Sequence, residues 1–354
     1  MTNECECKCA CGGTAAGSNA AKAPRVSTQL TLTDRIGAIK VRWGIGRMSY
    51  RVVPGLYAVG DPQAESPVLV SANYKMSFDR LRRVLSGRNA WILVLDTDGV
   101  NVWCSAGKGT FGTEEIVRRV QLCAVDRVVS HRTLVVPQLG APGVSAHEVR
   151  RRCGFRVEYG PVRAEDLPAF LDAGMKATPG MRRVRFGLRD RIVLIPVELV
   201  TGAKYALLLS AVFLLLGGLG AGGYSLAGIR TTGVEGAALV LGAFLGGGIL
   251  GPILLPWLPG RAFSVKGAVL GLVFAAGPGI YSLLGNGLAT SWLHAATWLA
   301  LAPALTSFVV MNFTGASTFT SLSGVQREMR YALPMQAAFA VIGLGFWLSG
   351  LFVA

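Results

Sequence analysis

The residues best placed to do chemistry are in Asn101-Val102-Trp103-Cys104-Ser105-Ala106-Gly107-Lys108, which follows an apolar run, Trp91 to Asp96, that predicts a strand. A thiolate–metal bond is short, ~2.3 Å on zinc. A cysteine that ligates the metal of a large flat cofactor therefore needs a backbone able to come almost into contact with that cofactor. Ser105, Ala106 and Gly107 are small enough to permit the approach. Ligands of parallel sheets sit beyond the carboxyl ends of the strands, and Asp96 to Lys108 leaves its strand there. The competing reading is a thiol packed beside Trp103 as a small hydrophobe, which is how Cys123 and Cys153 read on helical patterns. Lys108, one turn beyond Cys104 on a helix, either supports a thiolate or faces solvent.

The elements that must position this stretch alternate. Strands are predicted at Arg51 to Val59, Pro67 to Ser71, Trp91 to Asp96, Arg132 to Val136, Phe155 to Tyr159 and Ile192 to Val197. Helices are predicted at Phe78 to Leu85, Thr113 to Val125, Ser145 to Cys153 and Ala164 to Ala173. The order implies an α/β domain with a largely parallel sheet. Gly107, Gly109 and Gly112 spell a dinucleotide fingerprint, but the first glycine is too far from the strand end for the tight turn that fingerprint requires. A phosphate-binding P-loop is excluded because Lys108 is followed by glycine.

Asn101 to Lys108 resembles the cap-helix signature Asn-(Val/Ile)-Trp-Cys-(Ala/Ser)-(Ala/Ser)-Gly-Lys of the HgcA family, the corrinoid proteins of microbial mercury methylation. Leu93 to Gly99, LVLDTDG, resembles the matching stretch of corrinoid iron-sulfur protein large subunits. Met311 to Met329, MNFTGASTFTSLSGVQREM, resembles the loop before that family's last membrane span. The resemblance runs from about Thr28 to the C-terminus. It implies a Rossmann-like corrinoid-binding domain followed by a five-helix transmembrane bundle. It also implies a corrinoid (cobalamin-like) cofactor with Cys104 as catalytic residue and lower axial cobalt ligand, flanked by Asn101, Val102, Trp103, Ser105, Ala106, Gly107 and Lys108. Asn101 would bond the cap or a corrin amide and Trp103 would wedge the cap onto the domain, a structural role for each being the equal alternative. The histidines His131, His147 and His294 do not sit in the Asp-x-His-x-x-Gly setting that other corrinoid proteins use.

The implied reaction is methyl transfer from cobalt to Hg(II). Mercuric ion is an electrophile, so the methyl leaves as a carbanion equivalent or a radical, which a donating thiolate below cobalt favours. A methylated pterin pathway is the implied methyl source and a two-cluster 4Fe-4S ferredoxin-like protein, HgcB-like, the implied electron donor. The alternatives are a corrinoid methyl carrier of one-carbon metabolism and a thiol-rich metal-binding membrane protein.

Mean hydropathy is +0.47, with the apolar residues concentrated beyond Lys204. Five runs approach a bilayer span: Tyr205 to Gly223, Val234 to Trp257, Val265 to Leu284, Trp292 to Phe313 and Leu333 to Val353. The division expected is a tail at 1–27, a cytoplasmic corrinoid-binding α/β domain at 28–200 and a transmembrane domain at 201–354. No secretory signal opens the chain. Inner loops would carry Arg261, Lys266, Arg327 and Arg330 and outer loops Arg230, in accord with a multi-pass protein of the cytoplasmic membrane. Gly242 with Gly246, and Gly247 with Gly251, have the spacing of close helix packing.

The net charge of +15 gathers partly in Lys176, Arg182, Arg183, Arg185, Arg189 and Arg191, a polybasic segment suited to membrane lipid. No nucleic-acid module accompanies it. Cys5, Cys7, Cys9 and Cys11 alternate in a spacing that suits neither ferredoxin clusters nor zinc modules. A reduced flexible tail and a soft-metal site that delivers Hg(II) both remain open readings.

Overall fold

A computed structural model describes residues 23–285, 288–316 and 322–353. Cys5, Cys7, Cys9 and Cys11 lie outside the described residues. The chain divides into two compact units, one reaching Val41 and resuming at Ile45–Val184, the other comprising Arg42–Gly44 and the residues from Arg185.

The first unit is an α/β layer structure. Its six strands are β1 (Arg25–Val26), β2 (Gly55–Val59), β3 (Val68–Ala72), β4 (Ala90–Leu95), β5 (Thr133–Val136) and β6 (Arg156–Tyr159). They lie in the order β1-β2-β4-β3-β5-β6. The run β4-β3-β5-β6 is parallel, and β2 is antiparallel to β4. The central strands are buried on both faces, so they read as continuous apolar runs. One face packs Val68, Val70, Leu93 and Leu95 against Ile116, Val120 and Val149 of α4 (Thr113–Leu122) and α6 (Ala146–Cys153). The other packs Leu69, Ile92 and Val94 against Phe78, Leu85, Leu167 and Phe170, from or beside α2 (Lys75–Val84) and α7 (Leu167–Asp172). Burying side chains on alternate faces fixes the register, because a one-residue slip would exchange the two cores.

A helix that the sequence pattern did not predict, α1 (Leu32–Arg42), is held by a cluster of charges. Its Asp34 pairs with Lys75 and with Arg82 at 2.7 Å, and Asp79 pairs with both cations. Burial opposes ionisation of Asp34, but hydrogen bonds from Lys75, Thr31 and Arg82 outweigh it and hold the carboxyl far below the usual range.

The expected strand at Ile192 to Val197 is helical instead. It falls in α8 (Leu188–Ile192) and the start of α9 (Ile195–Leu216). A short apolar run does not by itself distinguish a strand from a helix, and this one leads into a long apolar helix. The unit boundary accordingly falls at Val184, ahead of the expected division after residue 200.

Among the described residues of the second unit, four helices are long and apolar enough to cross a membrane: Leu188–Leu216, Leu226–Leu254, Trp292–Asn312 and Ser323–Val353. A shorter apolar stretch, Phe263–Gly277, lies in the helix Phe263–Gly285. Small residues set the closest approach, though not all at the expected places. A Cβ at Gly267 would fall 2.7 Å from Ser307 Cα and one at Gly271 2.5 Å from Pro303 Cα, whereas one at Gly242 would meet no described atom within 4 Å.

Candidate functional site

Three loops converge at the carboxyl ends of the adjacent strands β4, β3 and β5. The loop after β3 supplies Asn73, which is 1% exposed. Its Oδ1 accepts from the Thr97 and Gly99 N–H groups at 3.1 and 2.9 Å and lies 2.8 Å from the Thr97 hydroxyl. Its Nδ2 donates to Asp96 Oδ1 at 3.0 Å. One buried amide thus pins the loop after β4 onto the tip of β3. Two residues of that loop, Asp98 and Gly99, have φ of 55° and 72°, so the turn depends on this support. Glu115 on α4 closes the other side. Its carboxylate accepts the Asp96 N–H at 2.9 Å and pairs with Arg119, which is 1% exposed. Sequence reasoning missed Asn73 and Glu115; the available signal was Asn73 as a polar residue directly after the apolar run of β3.

From this platform rises α3 (Val102–Lys108). Asn101 is its N-cap, accepting the Cys104 N–H on its side-chain oxygen at 2.9 Å. Gly109 ends it in the left-handed conformation, φ 85°. The glycines of the apparent dinucleotide fingerprint therefore lie within α3, at its C-cap and at the N-cap of α4, not in a strand-to-helix turn.

The small residues of the motif divide by face. Ser105 and Ala106 are buried, with the Ser105 hydroxyl 2.6 Å from the Asn101 carbonyl oxygen. They let α3 settle on the 3-10 turn Gln138–Gly143 that follows β5, where a Cβ on Gly143 would stand 3.2 Å from Ala106 Cα and 2.2 Å from the Phe111 carbonyl oxygen. Their smallness serves this internal contact. Cys104, Gly107 and Lys108 share the other face at helical spacing. Cys104 is a half-buried free thiol, while Gly107 and Lys108 are exposed. A Cβ at Gly107 would meet no described atom within 4 Å. Because Cβ bonds tilt toward the helix N-terminus, this open space borders the turn that carries Cys104.

Val102 packs on the core and Trp103 is half-buried. Just beyond α3, Thr110 Oγ1 is buried without a hydrogen-bond partner among the described residues. No group of three or more His, Cys, Asp or Glu side chains able to hold a metal occurs among the described residues. A lone sulfur ligand would suit a metal whose other ligands come mostly from a macrocycle, and Gly107 leaves open space beside the turn that carries Cys104.

The remaining thiols differ. Cys153 donates to the Val149 carbonyl at 3.2 Å, and burial pushes its pKa up. Cys123 is 2% exposed, packed in the core of the α/β unit. His131 accepts the Thr133 N–H on Nδ1 at 3.2 Å, so Nε2 carries the proton and donates to the Ser66 carbonyl at 3.0 Å. His147 is near Ser145 and Glu148 on the surface, and His294 pairs with Glu235.

Residues 44–171 match the family described as CO dehydrogenase/acetyl-CoA synthase delta subunit. Among curated proteins, the gamma subunit of the acetyl-CoA decarbonylase/synthase complex of Methanopyrus kandleri is 33% identical over 128 residues, which is 36% of this chain and 27% of that protein. The counterpart from Archaeoglobus fulgidus is 29% identical over 128 residues with the same shares. That of Methanocaldococcus jannaschii is 32% identical over 127 residues, 35% of this chain and 26% of its own length. The chain thus spans about a quarter of the length of these relatives. The matched segment holds β2 to β6, Asn73, the whole of α3 and the turn on which α3 rests, and it stops short of the apolar helices. Over that segment, this chain is similar to subunits of the acetyl-CoA decarbonylase/synthase complex.

Proposed function

We propose that this chain is a membrane-anchored corrinoid methyltransferase that passes a methyl group to Hg(II), with Cys104 as the lower axial ligand of cobalt. The observation that carries the proposal is a free, half-exposed thiol on a short helix whose neighbouring face is left open by Gly107, at the carboxyl ends of parallel strands. The motif resemblance to the HgcA family supports the mercury reading, and the similarity to acetyl-CoA decarbonylase/synthase subunits supports corrinoid methyl transfer in general.

The corrinoid supplies the methyl-bearing cobalt, and the metal itself favours the deprotonated form of a coordinating thiol. The chain's own residues hold and orient. Asn101 fixes the Cys104 amide, Asn73 and Glu115 hold the loop that aims α3, and Gly107 leaves the approach open. A methylated pterin pathway is the proposed methyl source and a ferredoxin-like 4Fe-4S protein the proposed reductant. In this reading the protein is multi-pass in the cytoplasmic membrane, with the α/β unit on the cytoplasmic side and Phe263–Gly285 as a fifth crossing.

The second reading, a corrinoid methyl carrier of one-carbon metabolism, is favoured by the names of the relatives. Product identity separates the two. Anoxic cells expressing the full chain with a ferredoxin-like partner are expected to form methylmercury from isotopically labelled Hg(II), and cells carrying Cys104→Ala are expected to form none. Absence of methylmercury from the parent chain despite a bound corrinoid would transfer the assignment to the carrier.

A further inference from the structure

An apolar stripe on α1 and the residues just after it is left largely exposed among the described residues. On α1, Leu32, Ile36 and Ile39, with Trp43 just beyond, recur at helical spacing and are 72, 44, 55 and 49% exposed. Ile45 and Met48 extend the stripe at 61 and 65%. The opposite face is committed to the domain: Asp34 is paired with Lys75 and Arg82, Val41 is 1% exposed, and a Cβ at Gly37 would lie 2.6 Å from the Tyr50 hydroxyl. On a helical projection, Lys40 flanks the stripe on one side and Arg35 and Arg42 flank it on the other. Asp34 is the sole acidic residue between Leu32 and Tyr50, and it faces inward.

We propose that α1, with Trp43, Ile45 and Met48, lies in the headgroup layer of an anionic lipid bilayer. The stripe sits below the phosphates, and Arg35, Lys40 and Arg42 sit at their level. An apolar face rimmed by long basic side chains, held parallel to a surface, is the form of an interfacial helix. The charges select the occupant. A second copy of the chain would bring Arg35 and Lys40 against their own kind, whereas anionic headgroups complement them. Helices able to cross a membrane in the same chain supply the bilayer.

The test uses the full chain in nanodiscs of phosphatidylcholine, with and without phosphatidylglycerol. A diazirine-bearing leucine analogue is placed at position 36 or, as a control, at Leu122, which is 48% exposed on α4. Position 36 is expected to yield lipid adducts on irradiation, with more of them when phosphatidylglycerol is present, and position 122 to yield water adducts. Arg35→Glu with Lys40→Glu is expected to lower the position 36 lipid adducts about threefold. Water adducts alone at position 36, cross-links to protein, or lipid adducts indifferent to phosphatidylglycerol would each overturn the proposal. The readout needs no corrinoid and no mercury, so its outcome is independent of the proposed methyl transfer.

Discussion

The two ends of the α/β sheet present opposite kinds of surface. At the amino ends a cavity of about 520 Å³ is lined by Val68, Arg88, His131, Thr133 and Asp172. Its polar lining is largely satisfied: His131 spends both ring nitrogens on backbone, and Arg88 and Asp172 form a bidentate pair at 2.7 Å. At the carboxyl ends lie a free half-exposed thiol and open space over Gly107. The amino-end cavity has little left to offer a ligand, while the carboxyl end keeps a free thiol beside an open helix face. Unsatisfied chemistry, more than volume, marks the candidate site.

The strongest way to break this contrast is to fill the open face. Gly107→Leu is expected to leave stability within about 1 kcal/mol, since leucine is the better helix former, while weakening corrinoid binding by at least about a hundredfold through direct obstruction. Equilibrium binding of a cobamide followed by its absorption bands, beside a thermal melt, checks both halves. Unchanged binding would mean that the cofactor lies elsewhere.

Asn73→Ala strikes the platform instead. It leaves the buried Thr97 and Gly99 N–H groups without their acceptor, at an expected cost of about 2 to 3 kcal/mol. Hydrogen exchange should show the loss concentrated in the loop Asp96–Asn101. Asp34→Asn is expected to cost about 2 kcal/mol, between an exposed ion pair and a buried one. The sign of the pH dependence follows from the depressed carboxyl. The stabilisation is present above the unfolded-state value, about pH 4, and drains away as the pH falls below it. A pH series of melts should therefore show parent and variant converging in acid. The smallest effect belongs to the amino end, where Arg88→Ala should leave cobamide affinity unchanged; a marked loss would reverse the comparison between the two ends.

Much of this arrangement is readable in the sequence where the pattern is strong. The runs at Pro67 to Ser71, Trp91 to Asp96 and Arg132 to Val136 became β3, β4 and β5 within a residue or two, because β-branched stretches bounded by turn residues have few other uses. Ile192 to Val197 misled because an apolar run that begins a long helix looks the same over six residues. The two residues of β1 carry no periodic signal, and α1 escaped because its apolar stripe faces away from the core. The motif around Cys104 identified the site, but not the division of its small residues between an inward contact and an open face. That division depends on Gly143, which lies far along the chain and reaches Ala106 only through the fold. Asn73 was hidden for the same reason, since its partners Thr97 and Gly99 lie more than twenty residues away.

The most direct test is cobalt K-edge X-ray absorption on the corrinoid-loaded full chain and on Cys104→Ala. A sulfur neighbour of cobalt at about 2.3 Å in the parent chain, lost in the variant while the corrinoid stays bound, is the predicted result. A parent spectrum with only nitrogen and oxygen neighbours, or one that the substitution leaves unchanged, would contradict the assignment of Cys104 to cobalt.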